Sequence, residues 1–316
     1  MRRPPPDVFD QMLADARLKA PEVDERLARA FDVAYWQSLA PELHVRDAGA
    51  SGDPEALPNE AVTRAIADLR DEGVFALRRA IDATRVRRLN QAVDAVVRAG
   101  WPAAFAFVYN EPWQVARVPA IRQIATAALG PGCSQIPHVW THVVHPSEGA
   151  SGWEPHLDGS GRRRMSVWIA LTAATLENGC MHVLPRSYAP KDVFEREQTP
   201  QPMYTNVELS RALHGSRALP AQPGDVLGWT FDIAHWGGIA RQGAADRRSF
   251  SFEYIAADES PTTDELPLAA LDSVPPIETR LGAIAAGILN YRKFEPLVGR
   301  FADLAERIIQ SAGPRA

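Results

Sequence analysis

The sequence has few cysteines and no long apolar run. Cys133 and Cys180 are the only cysteines in 316 residues, which excludes a disulfide scaffold or a cysteine-rich zinc module and fits a reducing compartment. The longest apolar run, around residues 281–289, is too short to cross a bilayer. Three prolines follow Met1-Arg2-Arg3 with no apolar segment behind them, so we expect no secretion signal. These absences predict a cytoplasmic protein.

An excess of positive charge is also missing. The chain has 34 lysines and arginines against 39 acidic residues, for a net charge of −5. Nucleic acids and anionic membranes attract basic surfaces, so we expect neither as a partner. The composition, 46% hydrophobic and 23% charged, is that of an ordinary globular protein. The sequence does not indicate the oligomeric state.

Hydrophobic spacing divides the chain into three parts. Residues 1–100 show helical periodicity followed by a first strand, as in the predicted helices 24–39, 58–69 (with Asn59 as N-cap) and 83–99. Short apolar segments separated by turn residues dominate 101–256, and helical spacing returns in 257–316. We predict a single domain over 1–316, mainly β with flanking helices, in which 101–256 forms a barrel or sandwich core.

Two histidines and an aspartate are the strongest candidates for chemistry. In an extended segment, His156 and Asp158 of His156-Leu157-Asp158 point to the same face. His235 lies at the end of a later predicted strand, 226–234. Two imidazoles and one carboxylate on one face of a metal ion leave the opposite positions open, as non-haem Fe(II) oxygenases require. The same spacing also occurs with purely structural histidines, and that alternative stays open.

An arginine on the next predicted strand favours a metal site over purely structural histidines. Arg247, directly before the predicted strand 248–255, and Ser249 share one face of this extended segment, while Phe250, Phe252 and Tyr254 share the other. An arginine that points into a barrel needs an anion, because a buried unpaired guanidinium loses its hydration. Its planar set of donors suits a small dicarboxylate such as 2-oxoglutarate. We expect Arg247 to bind such a carboxylate with help from Ser249; an outward-facing Arg247 is the alternative.

The order of these motifs resembles the phytanoyl-CoA dioxygenase (PhyH) family of Fe(II)- and 2-oxoglutarate-dependent oxygenases. The resemblance runs from about residue 59 to residue 255. It rests on the residues named above and on four further motifs in the family's order. These are a polar pair followed by a strand (Asp71-Glu72-Gly73 with Val74 to Leu77), an apolar strand (Trp168 to Leu171), an Asn-Gly turn followed by a strand (Glu177-Asn178-Gly179 with Cys180 to Pro185), and a Pro-Gly-Asp turn (Pro223-Gly224-Asp225).

The family resemblance implies a double-stranded β-helix, the cupin-like jelly roll, and an Fe(II)- and 2-oxoglutarate-dependent dioxygenase. Its reaction would hydroxylate or otherwise oxidise a small molecule with dioxygen, releasing succinate and CO2. Carried over by position, His156, Asp158 and His235 match the iron ligands and catalytic centre, and Arg247 matches the 2-oxoglutarate arginine. Asp158 itself favours hydroxylation, because halogenating relatives have Gly or Ala there.

Two further residues are candidates for co-substrate contact. Trp168 falls ten residues before Asn178, where family members can place such a residue, and His142 belongs to the predicted strand 136–144. The sequence departs from the family pattern at Pro185-Arg186-Ser187-Tyr188 and at Trp236-Gly237-Gly238. We expect residues 105–113 and 191–214 to form pocket walls or a lid.

Two other functions remain compatible with the sequence. A metal-dependent cupin-type enzyme that does not use 2-oxoglutarate would need the metal ligands but not Arg247. A catalytically silent β-helix that only binds a ligand would need neither.

Overall fold

Two antiparallel sheets form the centre of the fold. The computed structural model describes residues 17–46, 57–146, 152–159, 163–188, 206–259, 271, 273–292 and 295–312. The larger sheet has five strands in the order β1-β6-β3-β8-β2, and the smaller has three in the order β5-β4-β7. The strands are β1 (Val74–Leu77), β2 (Ser134–Val144), β3 (Arg164–Ala170), β4 (Met181–Leu184), β5 (Arg217–Leu219), β6 (Val226–Thr230), β7 (Ala234–Gly237) and β8 (Arg247–Ile255).

Helices dominate the amino-terminal and carboxy-terminal parts of the chain, before and after most of the strands, as predicted. They are α1 (Ala20–Ala30), α2 (Val33–Leu39), α3 (Asn59–Glu72), α4 (Ala83–Arg98), α5 (Asn110–Val115), α6 (Pro119–Leu129), α7 (Asn206–Gly215), α8 (Ile277–Tyr291) and α9 (Ala302–Ser311), with 3-10 helices at Ala103–Val108 and Pro296–Phe301. No helix in these described ranges is long and apolar enough to cross a membrane.

Local chemistry sets where the amino-terminal helices begin and end. The Asp82 carboxylate accepts hydrogen bonds from the backbone N–H groups of Thr84 and Arg85 and so caps α4. Helix α3 ends at Gly73, whose φ of 75° is the left-handed conformation that favours glycine. The prediction of Asn59 as N-cap is wrong by one residue, because Pro58 occupies that position without a side-chain cap.

The predicted helix 24–39 is two helices. Asp32 interrupts it, because its carboxylate accepts from the N–H of Ala34 and caps the start of α2. The β region also starts later than expected, since residues 103–129 are helical and the first strand after them begins at Ser134. Residues 105–113 are all buried, and residues 105–109 and Trp113 belong to the main hydrophobic core. They were expected to form a pocket wall, but their apolar side chains brace the sheet instead.

Strand β8 separates the core from a cavity, as its alternation predicts. Phe250 and Phe252 lie 4.8 and 5.6 Å from the ring centre of Phe107, and the Tyr254 hydroxyl donates to the carbonyl of Ala116 at 2.5 Å. Arg247 points the other way, into the cavity. Successive residues of a strand face opposite sides, so one strand supplies both a hydrophobic layer and a polar pocket wall.

Strand β2 carries an irregularity beside the same cavity. Ile136 pairs with Glu253 and Val139 pairs with Phe252, so two residues of β2, Pro137 and His138, have no partner on β8. Proline cannot donate a hydrogen bond to a sheet and is tolerated at such a bulge. Bulges change the direction of the neighbouring side chains, and here the affected side chain is His138.

Candidate metal centre

The backbone holds His156 and His235 side by side. The N–H of each residue donates to the carbonyl of the other, at 3.1 and 3.0 Å. His235 belongs to β7, so this antiparallel bridge places His156 next to the smaller sheet. Side chains of directly opposed antiparallel residues lie on the same face, and the two imidazole centres are 4.3 Å apart.

Asp158 completes a group of three possible metal ligands. Its Oδ1 lies 3.7 Å from Nε2 of His156 and 3.5 Å from Nε2 of His235. One ligand atom from each of the three residues lies within 4.8 Å of the others. Metal bonds to imidazole nitrogen and carboxylate oxygen are roughly 2.0–2.2 Å long, so one ion placed between these atoms can reach all three. The structure therefore brings together the residues that the sequence pattern selected.

Hydrogen bonds on the far side of each ring fix which nitrogen faces the centre. Nδ1 of His156 lies 2.6 Å from the carbonyl of Glu154, and Nδ1 of His235 lies 3.1 Å from that of Ile233. A carbonyl only accepts, so each Nδ1 carries the proton and each Nε2 presents a lone pair. Nε2 of His156 is buried and has no hydrogen-bond partner in the described part of the chain. This donor set fits a divalent metal ion.

The second oxygen of Asp158 is held by residues that sequence reasoning missed. Oδ2 accepts from the Ser166 hydroxyl at 2.6 Å and from the Trp229 indole N–H at 3.0 Å. Ser166 and Trp229 face each other on β3 and β6. Ser166 could have been found from the alternation of β3, which puts it on the same face as Trp168. Trp229 could not, because the pairing of β3 with β6 cannot be read from the sequence.

Electrostatics favour the metal-binding forms of Asp158 and His235. Burial raises the pKa of Asp158, but the neighbouring His235 and His156 and the hydrogen bonds from Ser166 and Trp229 outweigh it, so the pKa is lowered. Burial lowers the pKa of His235, and Asp158 only partly opposes that effect. The site thus holds a carboxylate beside a neutral imidazole, the protonation states of metal ligands.

Replacing Ser166 by alanine tests the support of Asp158. The change removes one of two hydrogen bonds that orient the carboxylate, and loss of such an outer-shell partner typically weakens metal binding 10–100-fold. We expect Ser166→Ala to raise the Kd for Co(II) by about tenfold in calorimetry. Ser187→Ala is the matched control, because the exposed Ser187 donates a similar 2.7 Å bond to the Glu72 carboxylate, away from the cavity. Equal Co(II) affinity in both variants would contradict the role of Ser166.

Arg247 lies in the same cavity as the three possible ligands. Its side chain is 2% exposed, Nη1 lies 3.5 Å from the Met181 sulfur, and the guanidinium carbon lies 6.0 Å from the ring centre of Trp168. Within the described ranges no carboxylate pairs with it, and its Nε has no hydrogen-bond partner. Burial lowers the pKa of Arg247 to about 10. Such a buried cation is costly unless an anion joins it.

Two glycines keep space open beside this guanidinium. A Cβ atom added to Gly152 or to Gly237 would lie 3.0 Å from Nη2 of Arg247. Either added Cβ would also come within 2.7 Å of the Cα atom of the other glycine. Only residues without a side chain let these two segments approach each other and the arginine. The Gly237 position departs from the small polar residue of the family pattern, and its role here is steric.

Of the remaining candidates, Trp168 and His142 line the cavity, whereas Ser249 is not among its lining residues. Trp168 lines the cavity, and His142 lies beside it with Nε2 3.3 Å from the Ser251 hydroxyl. Burial, with a further contribution from Arg247, lowers the pKa of His142 to about 3, so the ring is neutral. Ser249 is fully buried opposite His142, and its hydroxyl has no partner among the described residues.

The two adjacent arginines have different positions. Arg248 points away from the cavity and forms a 2.7 Å ion pair with Asp94, so only Arg247 is available to a ligand. The cavity is also lined by residues that were not selected from the sequence: Trp153, Met181, Ser251, Glu253 and Tyr291. Of the predicted lid 191–214, residues 191–205 lie outside the described residues.

The comparisons with known proteins agree with this site. The family model of phytanoyl-CoA dioxygenase (PhyH) matches residues 110–249, just under half of the chain. That segment contains all three possible ligands and Arg247, and it confirms the resemblance found in the motifs. No curated protein sequence matches the chain.

Solved structures with a similar fold include three non-haem enzymes. The alpha-ketoglutarate-dependent carbocyclase SnoK from nogalamycin biosynthesis is 22% identical, with 66% of this chain and 88% of SnoK aligned and a TM-score of 0.51. The monooxygenase ThoJ in its Ni complex is 18% identical over 77% and 99%, with a TM-score of 0.51. The alpha-ketoglutarate-dependent epimerase SnoN is 18% identical over 67% and 95%, with a TM-score of 0.50.

Proposed function

We propose that the protein is a member of the phytanoyl-CoA dioxygenase family, whose family model matches residues 110–249, and that it is an Fe(II)- and 2-oxoglutarate-dependent oxygenase acting on a small molecule. The observation that carries the proposal is a buried guanidinium with no acidic partner among the described residues, facing the same cavity as the triad of His156, Asp158 and His235. A cupin-type enzyme without 2-oxoglutarate would not need this cation for its activity.

The chain's own residues divide the work of binding. Fe(II) would be held by Nε2 of the two histidines and by Oδ1 of Asp158, and Arg247 would bind the distal carboxylate of 2-oxoglutarate through its paired donors. Ser249, Trp168 and His142 would border the co-substrate along the wall between these points. When bound, the metal and 2-oxoglutarate supply dioxygen activation coupled to decarboxylation to succinate and CO2.

The protein also orients the metal-binding groups and lines the cavity with apolar side chains. Ser166 and Trp229 keep the carboxylate of Asp158 directed at the centre, and the carbonyls bonded to each Nδ1 keep both Nε2 atoms facing it. Trp168, Trp229 and Trp153 line the cavity with apolar surface, which would disfavour water beside the reacting groups. Because Asp158 occupies the position that halogenating relatives leave open, we propose hydroxylation or a related oxidation of the substrate as the outcome.

We also propose that the two sheets form the double-stranded β-helix of the family, within one domain spanning the whole chain. In support, both sheets line the site: β2, β3, β6 and β8 contribute from the larger sheet, and β4 and β7 from the smaller. Buried residues of the helices and of the larger sheet join one hydrophobic cluster, which continues from the amino-terminal helices to α9. The structural likeness to SnoK and ThoJ supports the same fold.

Turnover of 2-oxoglutarate tests the proposed function directly. We expect the full chain with Fe(II), 2-oxoglutarate and dioxygen to release succinate even without a primary substrate, since enzymes of this class turn over slowly uncoupled. His156→Ala should reduce that rate to the rate of free iron, because the variant loses one ligand of the centre. Succinate would be quantified by mass spectrometry, with anaerobic samples as blanks. Equal succinate release by wild type and His156→Ala would refute the enzymatic function.

A further inference from the structure

The residues that β8 contributes to the cavity wall are basic at one end of the strand and acidic at the other. Arg247, Ser251 and Glu253 share one face of the strand. Six residues at about 3.3 Å each separate the first from the last, a span of about 20 Å. Ser166, which binds Asp158, pairs directly with Glu253 across β3 and β8. Glu253 is therefore level with the candidate metal centre, on the side away from Arg247.

The bulge in β2 fixes the carboxylate of Glu253. His138, one of the two extra residues of the bulge, places its Nδ1 2.7 Å from Oε1 of Glu253. The Glu253 side chain is 16% exposed and lines the cavity. Since His138 contacts Oε1, Oε2 is the oxygen left to face a ligand. A carboxylate fixed in this way binds a hydrogen-bond donor without first becoming ordered.

Aromatic rings stand beside this carboxylate. The ring of Tyr291 stacks on His138 with centres 5.3 Å apart, and Trp153 lies 4.7 Å from Tyr291. Glu295 accepts from the indole N–H of Trp140 at 2.9 Å and also bonds the indole of Trp153. The faces of Trp and Tyr attract cations through their quadrupoles. This end of the cavity thus combines a fixed carboxylate with two cation-attracting rings.

The close approach of α8 to the sheet brings Tyr291 to the cavity. A Cβ on Gly287 would lie 3.1 Å from the Trp140 ring, so the helix packs directly on β2. Tyr291 follows one turn later. Burial raises the pKa of Tyr291, and Glu253, Asp158 and Glu295 raise it further, which agrees with a negative potential at this end. Arg247 has the opposite effect on His142 at the other end.

We propose that Glu253, positioned by His138, binds the primary substrate and selects molecules that carry a protonated amine next to an apolar or aromatic body. The inference rests on the proposed function only in calling the bound molecule a substrate. The binding preference itself requires neither iron nor turnover. Arg247 takes the anionic co-substrate at one end of the cavity, and Glu253 with Trp153 and Tyr291 takes a cation at the other. The opposite charges prevent either ligand from binding in the other's place.

Three probes of one shape and different charge test this selection. They are 2-phenylethylamine, 2-phenylethanol and 3-phenylpropanoate, titrated into the metal-free full chain and followed by calorimetry or ligand-observed NMR. We expect the amine to bind at least about tenfold more tightly than the alcohol, as one charge-assisted hydrogen bond implies, and the acid to bind most weakly at the Glu253 end. Saturating 2-oxoglutarate would first fill the Arg247 end.

Variants of Glu253 make the test specific. Glu253→Gln keeps the size but loses the charge, and it should raise the Kd of the amine about tenfold while changing that of the alcohol less than twofold. Glu253→Asp should retain the preference for the amine. Glu60→Gln, on the exposed face of α3, is the control, and thermal melting with Co(II) titration verifies that each variant is folded.

The failure of this inference is distinguishable from the failure of the proposed function. Equal binding of amine and alcohol by wild type, or an unchanged preference in Glu253→Gln, would overturn the substrate selection while leaving succinate release intact. Absence of succinate release together with a Glu253-dependent preference would overturn the oxygenase and keep the amine site.

Discussion

Replacing Arg247 by methionine is expected to abolish tight binding of 2-oxoglutarate without destabilising the protein. Truncating one member of a buried, hydrogen-bonded charge pair costs 2–5 kcal/mol, and we expect a rise in Kd of about 100-fold, which corresponds to about 3 kcal/mol. The unliganded protein should melt at the same temperature or higher. Its Arg247 has no anionic partner among the described residues, and an apolar side chain of similar length removes the desolvation cost.

Arg248 provides the matched control. It is the next residue of β8, but its guanidinium pairs with Asp94 on the outer side, where such a pair contributes little. Arg248→Met should therefore leave the Kd of 2-oxoglutarate within about twofold of wild type. Calorimetry with Co(II)-loaded protein measures both variants, and Co(II) affinity itself should not change in either. If Arg247→Met binds 2-oxoglutarate like wild type, the co-substrate does not use this arginine.

Replacing His235 by alanine is expected to remove metal binding. The imidazole is 4% exposed and presents its Nε2 to Oδ1 of Asp158, so no solvent-borne or neighbouring donor can take its place without rearrangement. We expect the Kd for Co(II) to rise more than about 100-fold, beyond the 10–100-fold that losing an outer-shell partner costs. The visible absorption of bound Co(II) should disappear.

A surface histidine controls for unspecific metal binding. His145 is 72% exposed and pairs with Asp246 at 2.8 Å, so His145→Ala should bind Co(II) like wild type. Retention of one tightly bound Co(II) per chain by His235→Ala would mean that the ion binds elsewhere.

The convergence of His156 with Asp158 and the inward direction of Arg247 could be predicted because both follow from local residue spacing. His156 and Asp158 are two residues apart, and Arg247 sits on the face opposite Phe250 and Phe252 whatever strand lies next to it. The cost of burying a guanidinium then points to an anion. These arguments use only the chain's immediate geometry, and the contacts described above agree with them.

The supporting residues could not be predicted because they depend on pairing. Trp229 reaches Asp158 only because β6 lies beside β3, and Glu253 meets His138 only because β2 has a bulge. Tyr291 arrives from a helix more than fifty residues after His235. Likewise, the apolar residues 105–113 have the composition of a pocket wall, and only the surrounding packing shows that they belong to the core.

The three possible ligands are anchored to different layers of the protein. Main-chain bonds attach both imidazoles to the smaller sheet, whereas Ser166 and Trp229 attach the carboxylate of Asp158 to the larger one. An ion bound among them would therefore cross-link the two layers, in the manner of a disulfide but reversibly. Its loading and release would change how far the layers can separate, so the mechanical rigidity of the whole β core would follow the availability of the metal.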